Sequence, residues 1–184
     1  HYRMVGWIGD ELVALQPHLF ADADLAGCVD TQRSTSGYYL ALRGPNSCFP
    51  IAGISKRQTC VSHSTPEAEM VSMSLALRHC GLPCLNLWHA LLPHKPGLVV
   101  HEDNQAMIQV IRTGRNPTMR YLDRVHRVAV ADIHERLGNP DTKDKVEILY
   151  TRSESMSADI YTKCFTDKVK WSHACELINI THPD

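Results

Sequence analysis

Acidic residues recur at the ends of the elements this sequence outlines, at spacings that suggest shared chemistry. Asp22 and Asp24 close an alternating apolar run and stand two positions apart, so as strand residues they face the same way. Glu67 and Glu69 open a helical stretch about 200° apart around its axis, so only one can face a sheet. Asp103 follows a short apolar run, and Asp159 falls in the first turn of a later helical segment. Several of these acids have ordinary structural uses. Asp near a helix start complements the dipole and caps free N–H groups. Glu67 lies three residues after Ser64, the spacing of a capping box. Glu69 is harder to explain this way. It shares a helical stripe with Met73, Ala76 and Cys80, and a carboxylate on a buried stripe costs several kcal/mol without a cation beside it. Carboxylates gathered at one sheet edge would repel and raise one another's pKa. Divalent cations relieve that cost, and oxygen-only ligands favour Mg²⁺ or Mn²⁺. Two such ions ~3.5–4 Å apart clamp the attacking and leaving oxygens of an in-line phosphoryl displacement.

Hydrophobic patterning outlines the elements that must bring these acids together. His18–Asp24 reads as a strand, Gly37–Leu42 as a second, and Cys48–Ser55 as a third after a turn at Gly44-Pro45-Asn46. Pro50 and Gly53 mark that third strand for a bulge or an edge. Ser64-Thr65-Pro66-Glu67 opens a long helix to about His79, which Gly81 and Pro83 should kink or break before it resumes towards Leu92. Leu98–His101 is a short strand, and Glu102-Asp103-Asn104 starts a helix through Arg112. A helix over Leu122–Leu137 stops at Gly138-Asn139-Pro140, and Val146–Tyr150 alternates as a strand. Helices at Met156–Lys163 and Lys168–Asn179 finish the chain. This order predicts an α/β fold: a mixed five-stranded sheet, three antiparallel strands and then two parallel ones, with helices on both faces.

With 19 Lys plus Arg against 20 Asp plus Glu in 184 residues, the net charge of −1 excludes nucleic-acid binding through overall charge. A polyanion partner would need a local patch or metal ions. Arg112, Arg115, Arg120, Arg124 and Arg127 stand against Asp123 alone across 112–127, a patch or simply a solvated face. Lys56 and Arg57, just before the long helix, could also touch phosphate. No apolar run reaches the ~18–20 residues needed to span a bilayer, so no membrane partner is expected. Seven cysteines, an odd number, read as reduced thiols in a reducing compartment, and Cys80 and Cys84 lack the second ligand pair of a zinc site. His101 borders Asp103 and could assist a proton transfer, while His126 and His134 read as surface or packing residues. Without an initiator Met or a signal-peptide pattern, the chain reads as a segment of something longer.

The motifs also carry a family resemblance. Ala21-Asp22-Ala23-Asp24-Leu25-Ala26-Gly27-Cys28 followed by Arg33-Ser34-Thr35-Ser36-Gly37-Tyr38 resembles the first-strand and hairpin signature of the ribonuclease H (RNase H) domain of copia-type (LTR) retrotransposon Pol polyproteins. Ser55-Lys56-Arg57-Gln58 with Ser62-His63-Ser64-Thr65-Pro66-Glu67-Ala68-Glu69 is similar to its next motif. Glu102-Asp103-Asn104-Gln105-Ala106 and Ser157-Ala158-Asp159-Ile160-Tyr161-Thr162-Lys163 are similar to the last two, and all four occur in the family's order.

The resemblance implies an RNase H-like fold over residues 18–163, with 1–17 as the tail of a preceding module or an N-terminal extension and 164–184 as a C-terminal helical extension. It implies two-metal hydrolysis of the RNA strand of RNA–DNA hybrids, leaving 5′-phosphate and 3′-hydroxyl ends. Two Mg²⁺ ions, or Mn²⁺, would be held by Asp22, Glu69, Asp103 and Asp159, with Asp24 a same-face neighbour of Asp22. Asn104, Gln105 and Ser64 are candidates for contacts around the 2′-hydroxyl, and Arg120 and Arg124 for phosphate. The expected partners are the hybrid and a covalently linked reverse transcriptase domain. The expected location is the cytoplasm, within a retrotransposon particle, or the nucleus. Leu25 stands where the family usually has an aromatic residue, Tyr150-Thr151-Arg152 replaces His-Val-Pro, and Arg120-Tyr121-Leu122-Asp123 replaces Lys-His-Ile-Asp. None of these departures touches the four acids. Competing readings are a non-catalytic RNase H-like scaffold or connection module, and a two-metal nuclease or integrase acting on DNA.

Overall fold

The computed structural model describes residues 2–92, 94–116, 119, 121–137 and 145–181. Five strands, β2 (Gln16–Ala23), β3 (Thr35–Gly44), β4 (Ser47–Arg57), β5 (Leu98–Glu102) and β6 (Val146–Tyr150), form one sheet in the order β4-β3-β2-β5-β6. β2, β3 and β4 pair antiparallel, whereas β5 joins β2 and β6 joins β5 in parallel. This is the mixed sheet expected from the order of elements. Pro50 and Gly53 also act as anticipated. Leu40 pairs with Ala52 and Ala41 with Pro50, so Ile51 is the extra residue of a bulge on the edge strand β4.

Alternation along the strands buries both faces of the sheet. Leu19, Ala21, Leu40, Leu98 and Val100 face a core closed by α1 (Thr65–Ala76), α2 (Leu82–Leu91), α3 (Gln105–Thr113), α4 (Leu122–His126) and α5 (Val130–Leu137). Phe20, Tyr39 and Ala41 face a second core, covered by Met156, Ala158 and Ile178 from the chain's last segments. The final helix α6 (Lys168–Leu177) leads to β7 (Ile180–Thr181), which pairs antiparallel with β1 (Arg3–Met4). Trp7 bridges to Cys48, so the first residues and the last described ones both lie against the body of the sheet. Among the described residues, no helix is long and apolar enough to cross a membrane.

Helix boundaries follow local chemistry. Ser64 Oγ accepts the Glu67 N–H at 3.3 Å, and Glu67 Oε2 accepts the His63 N–H at 3.0 Å, a reciprocal cap for α1. The expected kink is a π-helical turn over Leu77–Gly81 that leads into α2 without breaking the rod. Pro83 comes just after this turn, in the first turn of α2. Gly81 is needed for close approach: a Cβ there would lie 2.9 Å from Leu19 Cδ2 and 3.0 Å from Leu98 Cδ2.

Three expected helices differ in the structure. The one placed to begin at Glu102 starts at Gln105, because Asn104 caps it by accepting the Met107 N–H at 3.1 Å, and Glu102 stays in β5. The single helix over 122–137 is two, α4 and α5, divided where Arg127 adopts φ 56° and closes the first helix with a left-handed residue. The stop at 138–140 lies outside the described residues. Met156–Lys163 is not an α-helix: it holds a single 3₁₀ turn, Asp159–Tyr161, preceded by another at Ser153–Ser155. Serines weaken this stretch as a helix by offering hydroxyls to other backbone groups, as Ser157 Oγ does to the Leu177 carbonyl at 3.2 Å.

Candidate metal centre

The end of β2 and the end of β5 lie side by side in the middle of the sheet, with the first turns of α1 above them and the Asp159 turn on the opposite side. This brings Asp22, Glu69, Asp103 and Asp159 into one cleft region, where two overlapping groups of carboxylates form. Asp22, Asp103 and Asp159 each offer an oxygen within 4.8 Å of the others, and so do Glu69, Glu102 and Asp103. Asp103 belongs to both groups. Among the described residues these acids are the groups able to hold a metal, and Cys80 and Cys84 are not part of one.

Glu102 is the site residue missed in the sequence. Its acid-Asp-Asn context resembles a helix start, but the structure keeps it in β5, in register with Leu98 and Val100, on the strand face that α1 covers. Lys163 and Thr162 are further site residues that the structure adds. Lys163 Nζ lies 2.7 Å from Asp159 Oδ2 and 3.7 Å from Asp22 Oδ1, and Thr162 Oγ1 donates a short hydrogen bond to Asp22 Oδ2. The i, i+4 spacing of Asp159 and Lys163 was the available signal.

Burial dominates the electrostatics. It pushes the Glu69 carboxyl up to about 11, reinforced by Glu102, Asp22 and Asp103. Glu102, fully buried, is likewise held well above the usual carboxylate range by burial. Asp22 is raised by burial against the opposing pull of Lys163 and Thr162, and Asp159 rises to about 6 through burial and the nearby Asp22. Burial alone would lower the Lys163 ammonium, but Asp22 and Asp159 outweigh it and raise its pKa.

Some of these oxygens also lack partners. Glu69 Oε2, Glu102 Oε2 and Asp159 Oδ1 are buried with no hydrogen bond. A buried carboxylate oxygen in that state is costly, and a hard cation is the partner its chemistry suits. The all-oxygen donor set thus fits Mg²⁺ or Mn²⁺.

The remaining candidates fall around this centre. Asn104 and Gln105 line a cleft of about 510 Å³ with Asp22, Thr65, Glu69, Asp103 and Lys163. Ser64 serves as the α1 cap, and its hydroxyl proton stays available. Asp24 belongs to neither carboxylate group and accepts the Thr35 N–H. Arg124 is exposed on α4, a helix that the His126–Glu67 contact at 3.1 Å pins to the first turn of α1. Arg120 lies outside the described residues. His101 sits on the other sheet face: its Nε2 is 2.8 Å from His18 Nδ1, its Nδ1 is 2.7 Å from Thr151 Oγ1, and its ring stacks on Phe20. His134 packs through Nδ1, 2.6 Å from the Ile111 carbonyl.

No protein-family model and no curated protein matches this sequence. Solved structures do resemble its fold. LC11-RNase H1, isolated from compost by a metagenomic approach, superposes with a TM-score of 0.50 at 11% identity, over 80% of this chain and 92% of its own. The N-terminal RNase H domain of Rv2228c from Mycobacterium tuberculosis gives 0.45 at 12% identity, over 89% of this chain and 96% of that one. The PFV RNase H domain gives 0.43 at 12% identity, over 89% and 92%. Together with the strand order and the parallel pairing of β2, β5 and β6, the likeness to LC11-RNase H1 establishes that this chain has an RNase H-like fold.

Proposed function

We propose that this chain is a divalent-cation-dependent endonuclease that hydrolyses the RNA strand of RNA–DNA hybrids. In this reading it is the RNase H domain of a copia-type retrotransposon Pol polyprotein, covalently linked to a reverse transcriptase domain and acting in the retrotransposon particle. The observation that carries the reading is the meeting of carboxylates from β2, α1, β5 and the Asp159 turn, with buried oxygens left unpartnered. The ordered motifs support the retrotransposon origin.

Asp22, Asp103 and Asp159 would hold one cation and Glu69 would take part in holding a second. When bound, such ions supply the neutralisation of developing negative charge and a lowered pKa for attacking water. The chain's own residues do the rest. Thr162 fixes the Asp22 carboxylate by donating to Oδ2, and the Asp22 backbone is held by Ser72 Oγ, which donates to its carbonyl at 2.7 Å. Lys163, part-exposed beside the cleft, adds positive charge towards the phosphate backbone. Asn104, Gln105 and the Ser64 hydroxyl are candidates to read the 2′-hydroxyl, with the hybrid recognised by shape. Arg124, and Arg120 four residues before it in sequence, would contact phosphate.

A non-catalytic scaffold is the second reading, and the unpartnered acids disfavour it. A scaffold without cations would carry their burial cost for no purpose. Matched RNA–DNA, RNA–RNA and DNA–DNA duplexes incubated with Mg²⁺, with Mn²⁺ and with chelator discriminate the readings. Cation-dependent cleavage of the RNA strand of the hybrid, leaving 5′-phosphates, is expected. Cleavage of DNA–DNA instead would indicate a DNA nuclease, and no cleavage of any duplex would indicate the scaffold.

A further inference from the structure

The established features of the fold leave Glu102 unexplained. It is the last residue of β5, directly before Asp103, and it is fully buried. Its Oε1 accepts the Asn104 N–H at 3.0 Å, which fixes the carboxylate against the start of α3. Its Oε2 has no hydrogen-bond partner, and the carboxylate brings an oxygen within 4.8 Å of oxygens on Glu69 and Asp103. Glu69, itself only 3% exposed, also leaves Oε2 without a partner. Two buried carboxylates, each with an oxygen that no hydrogen bond satisfies, therefore meet in one small space beside Asp103. The other group also has one such oxygen, Asp159 Oδ1, but carries its own compensation. There, the Lys163 ammonium already contacts Asp159 and Asp22, and Thr162 donates to Asp22.

We propose that Glu69, Glu102 and Asp103 form an intrinsic divalent-cation site that fills in the free protein, before any nucleic acid binds, with Glu102 as a ligand. The proposal deepens the nuclease reading and rests on it for the purpose of the site, but not for its existence. Three carboxylates from β5, its end and α1 can surround a hard cation with oxygen donors alone. The Asp22–Asp103–Asp159 group, with Lys163 as its own counter-charge, has less need of a cation until a phosphate arrives. The two groups thus fill in order: the Glu102 group first, the Lys163 group with substrate.

Mn²⁺ titration of the nucleic-acid-free protein, read by calorimetry and by loss of the free-ion paramagnetic resonance signal, tests this directly. The wild-type chain is expected to bind one Mn²⁺ tightly and to gain thermal stability as the ion saturates. Glu102→Gln keeps the shape and the acceptor for Asn104 and should weaken that site at least about tenfold, the scale associated with losing groups that support a metal ligand set. Glu102→Met, similar in volume, should do the same, so a folding defect in one variant does not decide the outcome. Asp159→Asn should leave the tight site unchanged. Unchanged Mn²⁺ affinity in folded Glu102→Gln, or a tight site lost in Asp159→Asn instead, overturns the proposal. The two readings fail separately. Hybrid cleavage with Glu102-independent Mn²⁺ binding sinks only this inference, whereas Glu102-dependent binding without hybrid cleavage sinks only the nuclease.

Discussion

His101 and Glu102 are neighbours on β5 and point to opposite faces of the sheet, and both sit among buried titratable groups. The histidine has found partners on every side. His18 and Thr151 each approach one of its ring nitrogens, and Phe20 stacks on its ring. Burial pushes it down to about 3 and His18 down to about 4, so the pair is held neutral. Glu102 instead has an oxygen with no partner, and so does the neighbouring Glu69. A buried polar cluster that satisfies itself is structural. One that leaves several carboxylate oxygens unpaired is a cluster that a cation can complete.

The sharpest way to break this contrast is to remove one acid. Asp22→Asn should lower cation-dependent hybrid cleavage at least about a hundredfold, as when one group stabilising transition-state charge is lost. Circular dichroism should show the variant folded. Exchanging His101 for Gln should leave cleavage much closer to wild type, since its ring does not reach the cleft. Equal losses in the two variants would erase the distinction.

The clusters should also respond oppositely to pH. Glu69 is raised from an ordinary 4.5 to about 11, so the metal-free folded state binds more protons than the unfolded chain between those values. Stability from this group is full below 4.5 and is lost as pH climbs towards 11. His18 is lowered from 6.5 to about 4, so the folded state binds fewer protons there, and stability is lost as pH falls through that window. Thermal midpoints in chelator should therefore decline on both sides, and Mg²⁺ should lift the alkaline limb alone. An alkaline limb indifferent to Mg²⁺ would contradict the assignment.

Gly37→Ala probes how tightly the centre is assembled. A Cβ at Gly37 would meet Thr162 Cγ2 at 2.6 Å and Tyr161 Cβ at 2.9 Å, forcing the turn that carries Asp159 and Lys163 away from β2. The expected cost is about 1–3 kcal/mol in denaturant unfolding, with weaker cleavage. The smallest effect belongs to the rim. Arg124→Ala should reduce the salt slope of hybrid affinity by about one, and an unchanged slope would remove that residue from the interface.

Much of this was legible in the sequence because local chemistry and tertiary structure agree. The alternation of His18–Asp24 gave the central strand, Pro50 and Gly53 marked the edge and its bulge, and Glu67 was recognisable as a cap, leaving Glu69 as the acid facing the sheet. What was hidden depended on contacts between distant residues. Glu102 resembled a helix-start acid until the Asn104 cap placed the boundary after it. The Asp159 segment had the composition of a short helix, but its serines and its seat on Gly37 favour 3₁₀ turns. Arg127 carries no sequence mark of the left-handed conformation that splits α4 from α5.

If these carboxylates are gathered to hold cations, anomalous diffraction from crystals equilibrated with Mn²⁺ will show manganese peaks among the oxygens of Asp22, Glu69, Glu102, Asp103 and Asp159. Saturating Mn²⁺ with no peak among those five side chains would contradict that role.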